Sequence, residues 1–154
     1  MTDIVVDTNV LVHSCNPKDK WFCDSVLFIE RLRKSTLIIL VDGGLDVEEA
    51  KNTSRIWSEY LEHVPKSSLA AELLAELMTA GRILDVEVQV QPHLRKLIDQ
   101  KITDKSDRVF LKAAINSQSK TLTSHDDAAF PKAVRKEFGK KKIATINYCS
   151  EAAL

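Results

Sequence analysis

Three aspartates hold most of the chemistry this sequence can offer. Asp7 follows the apolar run Ile4-Val5-Val6, Asp126 follows Thr121-Leu122-Thr123, and Asp107 stands in Ser106-Asp107-Arg108-Val109-Phe110. Carboxylates gathered within a few ångströms repel one another and raise each other's pKa. A hard divalent cation with oxygen ligands, Mg²⁺ or Mn²⁺, keeps such a cluster ionised. Taken singly, each residue also has a local use. An Asp after a strand often makes a turn, and an Asp in the first turn of a helix is favoured by the helix dipole. Only their joint placement points to a site.

That placement depends on the surrounding elements. Ile4-Val5-Val6 and Leu37-Ile38-Ile39-Leu40-Val41 are unbroken apolar runs, as expected of strands buried on both faces. Between them, Phe22, Val26, Ile29 and Leu32 recur at helical spacing, after a break at Asn16-Pro17 and with Asp19 as a possible cap. Asp42-Gly43-Gly44 signals a turn, and Asp46-x-x-Glu49 has the form of a capping box opening a helix. The apolar stripe of that helix is Ile56, Trp57, Tyr60, Leu61 and Val64. A further helix is expected from a Ser68 cap to Gly81 as its C′ residue. Residues 83–90 alternate loosely, as in an edge strand or extended loop. A strong helical pattern follows at about 104–118, with Asp104 as its candidate cap. Then come a strand at 121–123, a short basic helix from Pro131 to Gly139, and a last strand at 143–146. Strands alternating with helices predict an α/β fold: one three-layer α/β/α domain over 1–154, with a central parallel sheet of Rossmann-like topology. In such a sheet the carboxyl ends of the strands share one edge, where ligands bind, so Asp7 and Asp126 converge if their strands are neighbours.

Composition removes other classes. The chain has 154 residues, 44% hydrophobic and 29% charged, which excludes intrinsic disorder. Four glycines leave no GxGxxG or GxxxxGK[ST] loop, so the common nucleotide-binding signatures are missing. Lys and Arg number 22 against 22 Asp and Glu, so nucleic acid would have to be met by a local patch rather than by bulk charge. Cys15, Cys23 and Cys149 form no C-x-x-C pair, as expected in a reducing, cytoplasmic setting. No apolar stretch reaches the length of a membrane span.

The residues 4–12, Ile-Val-Val-Asp-Thr-Asn-Val-Leu-Val, resemble the opening of PIN-domain ribonucleases, whose first strand ends in Asp-x-Asn. Ser106–Ala114 resembles their Asp-x-x-(apolar)-(apolar)-x-x-Ala helix, and Leu122–Phe130 their strand-end Ser/Thr-x-Asp motif with a downstream Phe. The motifs stand in family order over most of the chain. The resemblance implies a Mg²⁺- or Mn²⁺-dependent endoribonuclease that cleaves RNA by in-line water attack, with Asp7, Asp107 and Asp126 as metal ligands. Metal ions offset charge on the phosphate oxygens and lower the pKa of the attacking water. The family's usual mid-chain acid is taken as Glu59, with Glu49 as the alternative that the capping box would otherwise explain. Glu48 and Glu62 read as solvated. Asn9 would orient Asp7 or a phosphate, or else cap a helix. Ser124 would hydrogen-bond the site or cap a turn, and Asp127 would assist the metal or face water.

Lys132, Arg135, Lys136, Lys140, Lys141 and Lys142 follow the last acidic motif. Lys132, Arg135 and Lys136 are candidate contacts to an RNA backbone, set against the ordinary reading of a solvated helix face. His125 falls between motif residues without a second His at metal spacing; His13, His63 and His93 stand isolated. Trp21 and Trp57 sit among aliphatics and read as core. Small stand-alone relatives of the VapC type are toxins restrained by an antitoxin, so an antitoxin protein is the partner implied beside RNA. A homodimer through the apolar helix at Leu69–Met78 is a further expectation. Two rivals remain: a PIN-fold RNA-binding or scaffold module with a degenerate site, and a receiver-like phosphotransfer domain. The second requires an acidic pair near the N-terminus, and Asp3 is poorly placed to partner Asp7.

Overall fold

A computed structural model describes residues 2–154. The apolar runs at 4–6 and 37–41 become strands, and the chain runs β1 (Asp3–Val6), α1 (Thr8–His13), α2 (Phe22–Lys34), β2 (Ile38–Asp42), α3 (Arg55–His63) and α4 (Leu69–Thr79). It continues through β3 (Ile83–Val86), α5 (Pro92–Lys101), α6 (Lys105–Asn116), β4 (Thr121–Thr123), α7 (Lys132–Lys140), β5 (Thr145–Asn147) and a 3-10 turn, Cys149–Glu151. Every strand pairing is parallel, and the sheet order is β3-β2-β1-β4-β5. The protein is thus α/β, a five-stranded parallel sheet flanked by helices. The chain builds outward from β1 to β3, then crosses back to place β4 on the other side of β1. Between β1 and β4 lies the point where strand order reverses, and a crevice opens there beyond the carboxyl ends.

Ile4, Val5 and Val6 of the central strand are wholly buried. Helix α6 packs across β1, β2 and β4 and against α3, while α2 packs against α4 and the 3-10 turn. Phe28, Tyr60, Phe110, Phe130 and Phe138 supply the largest fully enclosed side chains.

Local capping explains most boundaries. Ser68 caps α4 through the Ala71 amide, Asp104 caps α6 through the Ser106 amide, and Gly81, at φ +67, ends α4 as its C′ residue. The 46–49 capping box opens no helix. Asp46 Oδ1 accepts from the Glu48 amide within a turn, and α3 starts six residues later. Its start is set by Asp42, whose carboxylate accepts from Ser54 Oγ at 2.8 Å and from the amides of Arg55 and Ile56 at 3.0 and 2.8 Å. The segment between is a closed loop whose neck is Gly44, with its carbonyl accepting from the Thr53 and Ser54 amides. Asp19 does not cap α2 in the strict sense. It accepts from the Trp21 amide, one turn ahead of a helix whose N-cap is Trp21. Helix α5 leaves little trace in the apolar pattern, because among its residues only Ile98 is buried. The basic helix runs one residue past Gly139, and the last strand begins two residues later than its apolar run suggests.

Helix α4 spends Ala70, Leu73, Leu74 and Leu77 on the core, so a homodimer through it would use the rest of its apolar face. What remains borders a groove of about 480 Å³ against α3, lined by Trp57, Leu61, Leu74 and Met78. Asp3 lies at the far end of β1, where its carboxylate accepts from the Gln118 and Ser119 amides; the acidic pair of a receiver-like site is not formed.

Ile4 has no exposed surface and sits in the middle strand. Ile4→Ala is expected to lower the unfolding free energy by about 2–5 kcal/mol. Urea denaturation should show this as a lower midpoint at unchanged slope.

Candidate active site

Asp7 leaves β1 and becomes the N-cap of α1, with the Asn9 amide donating to its Oδ1 at 3.2 Å. Asn9 Nδ2 and Ser124 Oγ donate to its other oxygen at 3.1 and 2.6 Å. Ser124 also accepts from the Asp126 amide at 3.0 Å, and Asn9 Oδ1 accepts from the His125 amide at 3.2 Å. The end of β1 and the turn after β4 are therefore stitched together at the switch point by Asn9 and Ser124. Asn9 orients Asp7 but does not cap the helix, a role Asp7 itself takes because it stands at the strand-to-helix junction; Ser124 both bonds the site and closes its own turn.

A cleft of about 330 Å³ opens above this seam, lined by Asp7, Thr8, Asn9, Val12, His13, Glu59, His63, Asp107 and Asp126. Four carboxylates thus reach one space from four places: the end of β1, the middle of α3, the first turn of α6 and the turn after β4. Glu59 faces this cleft. Glu49 lies elsewhere, in the groove between α3 and α4. Asp127 is exposed and turns away, accepting from Tyr148 Oη at 2.5 Å and pairing with Arg135 at 3.6 Å.

The electrostatics are those of crowded acids. Burial is the main reason that Asp7 titrates at about 7 rather than 3.8; Ser124 and Asn9 offset part of it, while Asp107 and Glu59 add repulsion. Asp107 is pushed to about 6, chiefly by desolvation and then by Asp126, Asp104 and Glu59. Tyr60, fully buried beneath, has its phenol pushed well above 10 by burial and by Asp7, Glu59 and Asp42; it stays neutral and donates to the Val6 carbonyl.

The donor set suits a hard divalent cation in kind and charge: oxygen ligands with too much negative charge for their surroundings. Thr8 Oγ1, on the same wall, is buried without a hydrogen-bond partner. The ligands are not preassembled, however. Among the described residues no three His, Cys, Asp or Glu side chains stand close enough to grip one ion. One oxygen of Asp126 is already occupied by the Ala128 and Ala129 amides, which also makes it the turn residue its position suggested.

The basic stretch divides. Arg135 is bound into the chain, donating from Nε to the Phe130 carbonyl at 2.6 Å and from an Nη to the Ser124 carbonyl at 3.1 Å. It braces the turn that carries Asp126. Lys132 and Lys136 are exposed on α7 and do not line the cleft. His13 and His63 do line it, although neither carried any sequence argument. Their signal was spacing: His13 stands four residues after Asn9 and His63 four after Glu59, on shared helix faces. Asp42, read only as part of a turn, anchors the helix that presents Glu59.

No family model matches the chain, and no curated protein matches it. Among solved structures, a chain in the crystal structure of VapBC2 from Rickettsia felis bound to a DNA fragment from their promoter is similar, with a TM-score of 0.50 and 17% identity over 96% of this chain and 99% of that one. At this identity the likeness speaks to the fold, which it supports along nearly the full length of both chains. No helix among the described residues is long and apolar enough to cross a membrane.

With chelator present, the buried acids should weaken the fold as they ionise. Folded Asp7 holds its proton up to about pH 7 and the unfolded chain only to about 3.8, so its contribution to stability falls as pH rises through that window. His125, lowered to about 4 chiefly by burial, acts in the opposite sense below pH 6.5, and equally in wild type and variant. Asp7→Asn should therefore be more stable than wild type at pH 8, by on the order of 1–3 kcal/mol after some loss of hydrogen bonding. The gap should close near pH 4. Thermal melts across pH in EDTA read the difference.

Proposed function

We propose that this chain is a Mg²⁺- or Mn²⁺-dependent endoribonuclease of the PIN type. The observation that carries this is the convergence of Asp7, Glu59, Asp107 and Asp126 on one cleft at the sheet's switch point. Asp7, Asp107 and Asp126 would hold the metal, and Glu59 would complete the acidic wall or hold water beside it. A bound divalent cation neutralises phosphate charge and makes its water more acidic. The chain's own part is positioning. Ser124 and Asn9 fix the Asp7 carboxylate in one orientation, and Asp42 fixes the start of α3 and so the reach of Glu59. Burial and crowding raise the pKa of Asp7 and Asp107, so a bound cation would be needed to hold both fully ionised. His13 and His63, on the wall, are placed to meet a phosphate or a leaving oxygen. Lys132 and Lys136 stand outside the cleft, where they would meet only a longer RNA.

The likeness to a chain of a VapBC2 complex supports a VapC-like setting, with an antitoxin protein as the partner. A second reading rests on the unassembled ligands. If the acids never close on an ion, the same cleft belongs to an RNA-binding module without activity.

Cleavage of single-stranded RNA is expected in Mg²⁺ or Mn²⁺ and none in EDTA. Asp7→Asn should reduce the rate by at least about 100-fold, the scale on which electrostatic stabilisation of a transition state is lost. Glu59→Gln should also lose activity, and Glu49→Gln should keep it. Gel assays on a labelled oligonucleotide distinguish these outcomes, and binding without cleavage in either metal would favour the inactive module.

A further inference from the structure

Trp21 is not part of the core. Trp57 joins the apolar cluster, but Trp21 stands outside it, partly buried at the start of α2 and held by polar neighbours. Its ring stacks on His125, with centroids 4.5 Å apart and planes 18° from parallel, and on Tyr148 at 5.2 Å and 15°. His125 and Tyr148 are themselves 6.4 Å apart. Two rings on opposite faces of an indole would be separated by at least about 7 Å, twice a carbon–carbon contact. Both therefore lie on the same face of Trp21. The Lys20 ammonium stands over the same indole, 5.1 Å from the ring centre, and among the described residues no further aromatic ring stacks on Trp21.

The supporting side is rigid. His125 is held between the Cys149 sulfur and His13 Nδ1, each at 3.0 Å, and its amide is tied to Asn9. Tyr148 is clamped by the Arg135 guanidinium 4.2 Å from its ring and by Asp127 on its hydroxyl. The Trp21 amide is bound by Asp19. The indole thus rests on two rings that are themselves anchored by polar contacts, and it is only partly buried, so its remaining surface is held in a fixed orientation.

The stack leads on through His125 to the carboxylate cleft. His13 lies parallel to His125, with centroids 5.2 Å apart and planes 7° from parallel, and also lines the cleft. One histidine pair separates the indole from the acids. We propose that Trp21, flanked by Lys20, is a stacking subsite for a base of single-stranded RNA next to the cleavage site. This rests on the ribonuclease reading for its substrate. An indole face accepts any base, and a cation at its rim meets the adjoining phosphate, so recognition is tolerant of sequence. A base locked in a duplex cannot present its face this way.

Trp21 fluorescence gives the test, since Trp57 is 93% enclosed in the core and serves as a constant background. The full chain is titrated in EDTA with an oligoadenylate of eight nucleotides and, separately, with a blunt RNA hairpin. The single strand should quench Trp21 saturably and the hairpin should not. By anisotropy of a labelled oligoadenylate, Trp21→Ala should weaken binding by roughly tenfold to hundredfold, Trp21→Phe should restore most of it, and Lys20→Ala should weaken it less. In metal, Trp21→Ala should raise KM with kcat little changed. If wild type cleaves RNA but shows no quenching, and both Trp21 variants keep its KM, the subsite is overturned and the ribonuclease reading stands. Equal quenching by the hairpin also overturns it. If single strands quench Trp21 and Trp21→Ala loses binding while no metal supports cleavage, the subsite stands and the ribonuclease reading falls. Should Trp21→Ala fail to fold, Trp21→Phe and Lys20→Ala decide by the same readings.

Discussion

Asp7 brings an ionisable group to a desolvated point of the chain, where the central strand meets its first helix. Much of the neighbouring structure bears on that cost. Ser124 and Asn9 donate hydrogen bonds that favour its charged form, yet burial still holds its pKa near 7. Tyr60, directly beneath, turns its hydroxyl to a backbone carbonyl and adds no charge. Asp107 and Glu59, both partly exposed, add repulsion from across the cleft. A fold designed only for stability would place an uncharged residue here. A site that is strained until its charge is balanced is what stability is usually surrendered for.

The same economy appears in how the acids are aimed. The helices that carry or adjoin them start on short polar side chains. Asp7 caps α1, Ser54 with Asp42 opens α3, and Asp104 opens α6. A cap fixes both where a helix begins and its rotation, so it also fixes which later residue faces the cleft. Asp42 and Asp7 leave adjacent parallel strands, so strand pairing sets the spacing between the two helices that follow. Side chains remote in sequence are thereby brought to one edge by elements that are each short and locally specified.

This division explains what could be read from the residues alone. Unbroken apolar runs revealed the buried strands, and the order of the acids relative to those runs was enough to bring Asp7 and Asp126 together once β1 and β4 proved to be neighbours. Asp104, Ser68 and Gly81 acted as their types suggest, because capping is a property of a few adjacent residues. Three readings failed because a side chain met partners outside its local pattern. Asp46 and Glu49 had the spacing of a capping box, but Asp42 holds the helix start elsewhere. Trp21 had aliphatic neighbours in sequence, but its ring meets His125 and Tyr148, more than a hundred residues on. Arg135 looked like a free cation, yet the carbonyls of Ser124 and Phe130 claim it. Helix α5 shows too little apolar surface to declare itself.

The closed loop between Asp42 and Ser54 has a further consequence. Its neck is cinched at Gly44, where φ is +92 and a side-chain carbon would run into Thr53, and Asp42 grips the start of α3 directly. The strand and helix on either side are thus joined across the loop as though it were absent. Residues 47–51 are exposed, while Leu45 packs on the core and Asn52 bonds Ser54 and Ser58, so the exposed stretch can change in length and composition without altering where Glu59 points. That stretch is suited to carrying an inserted epitope or a protease recognition sequence while the cleft keeps its shape.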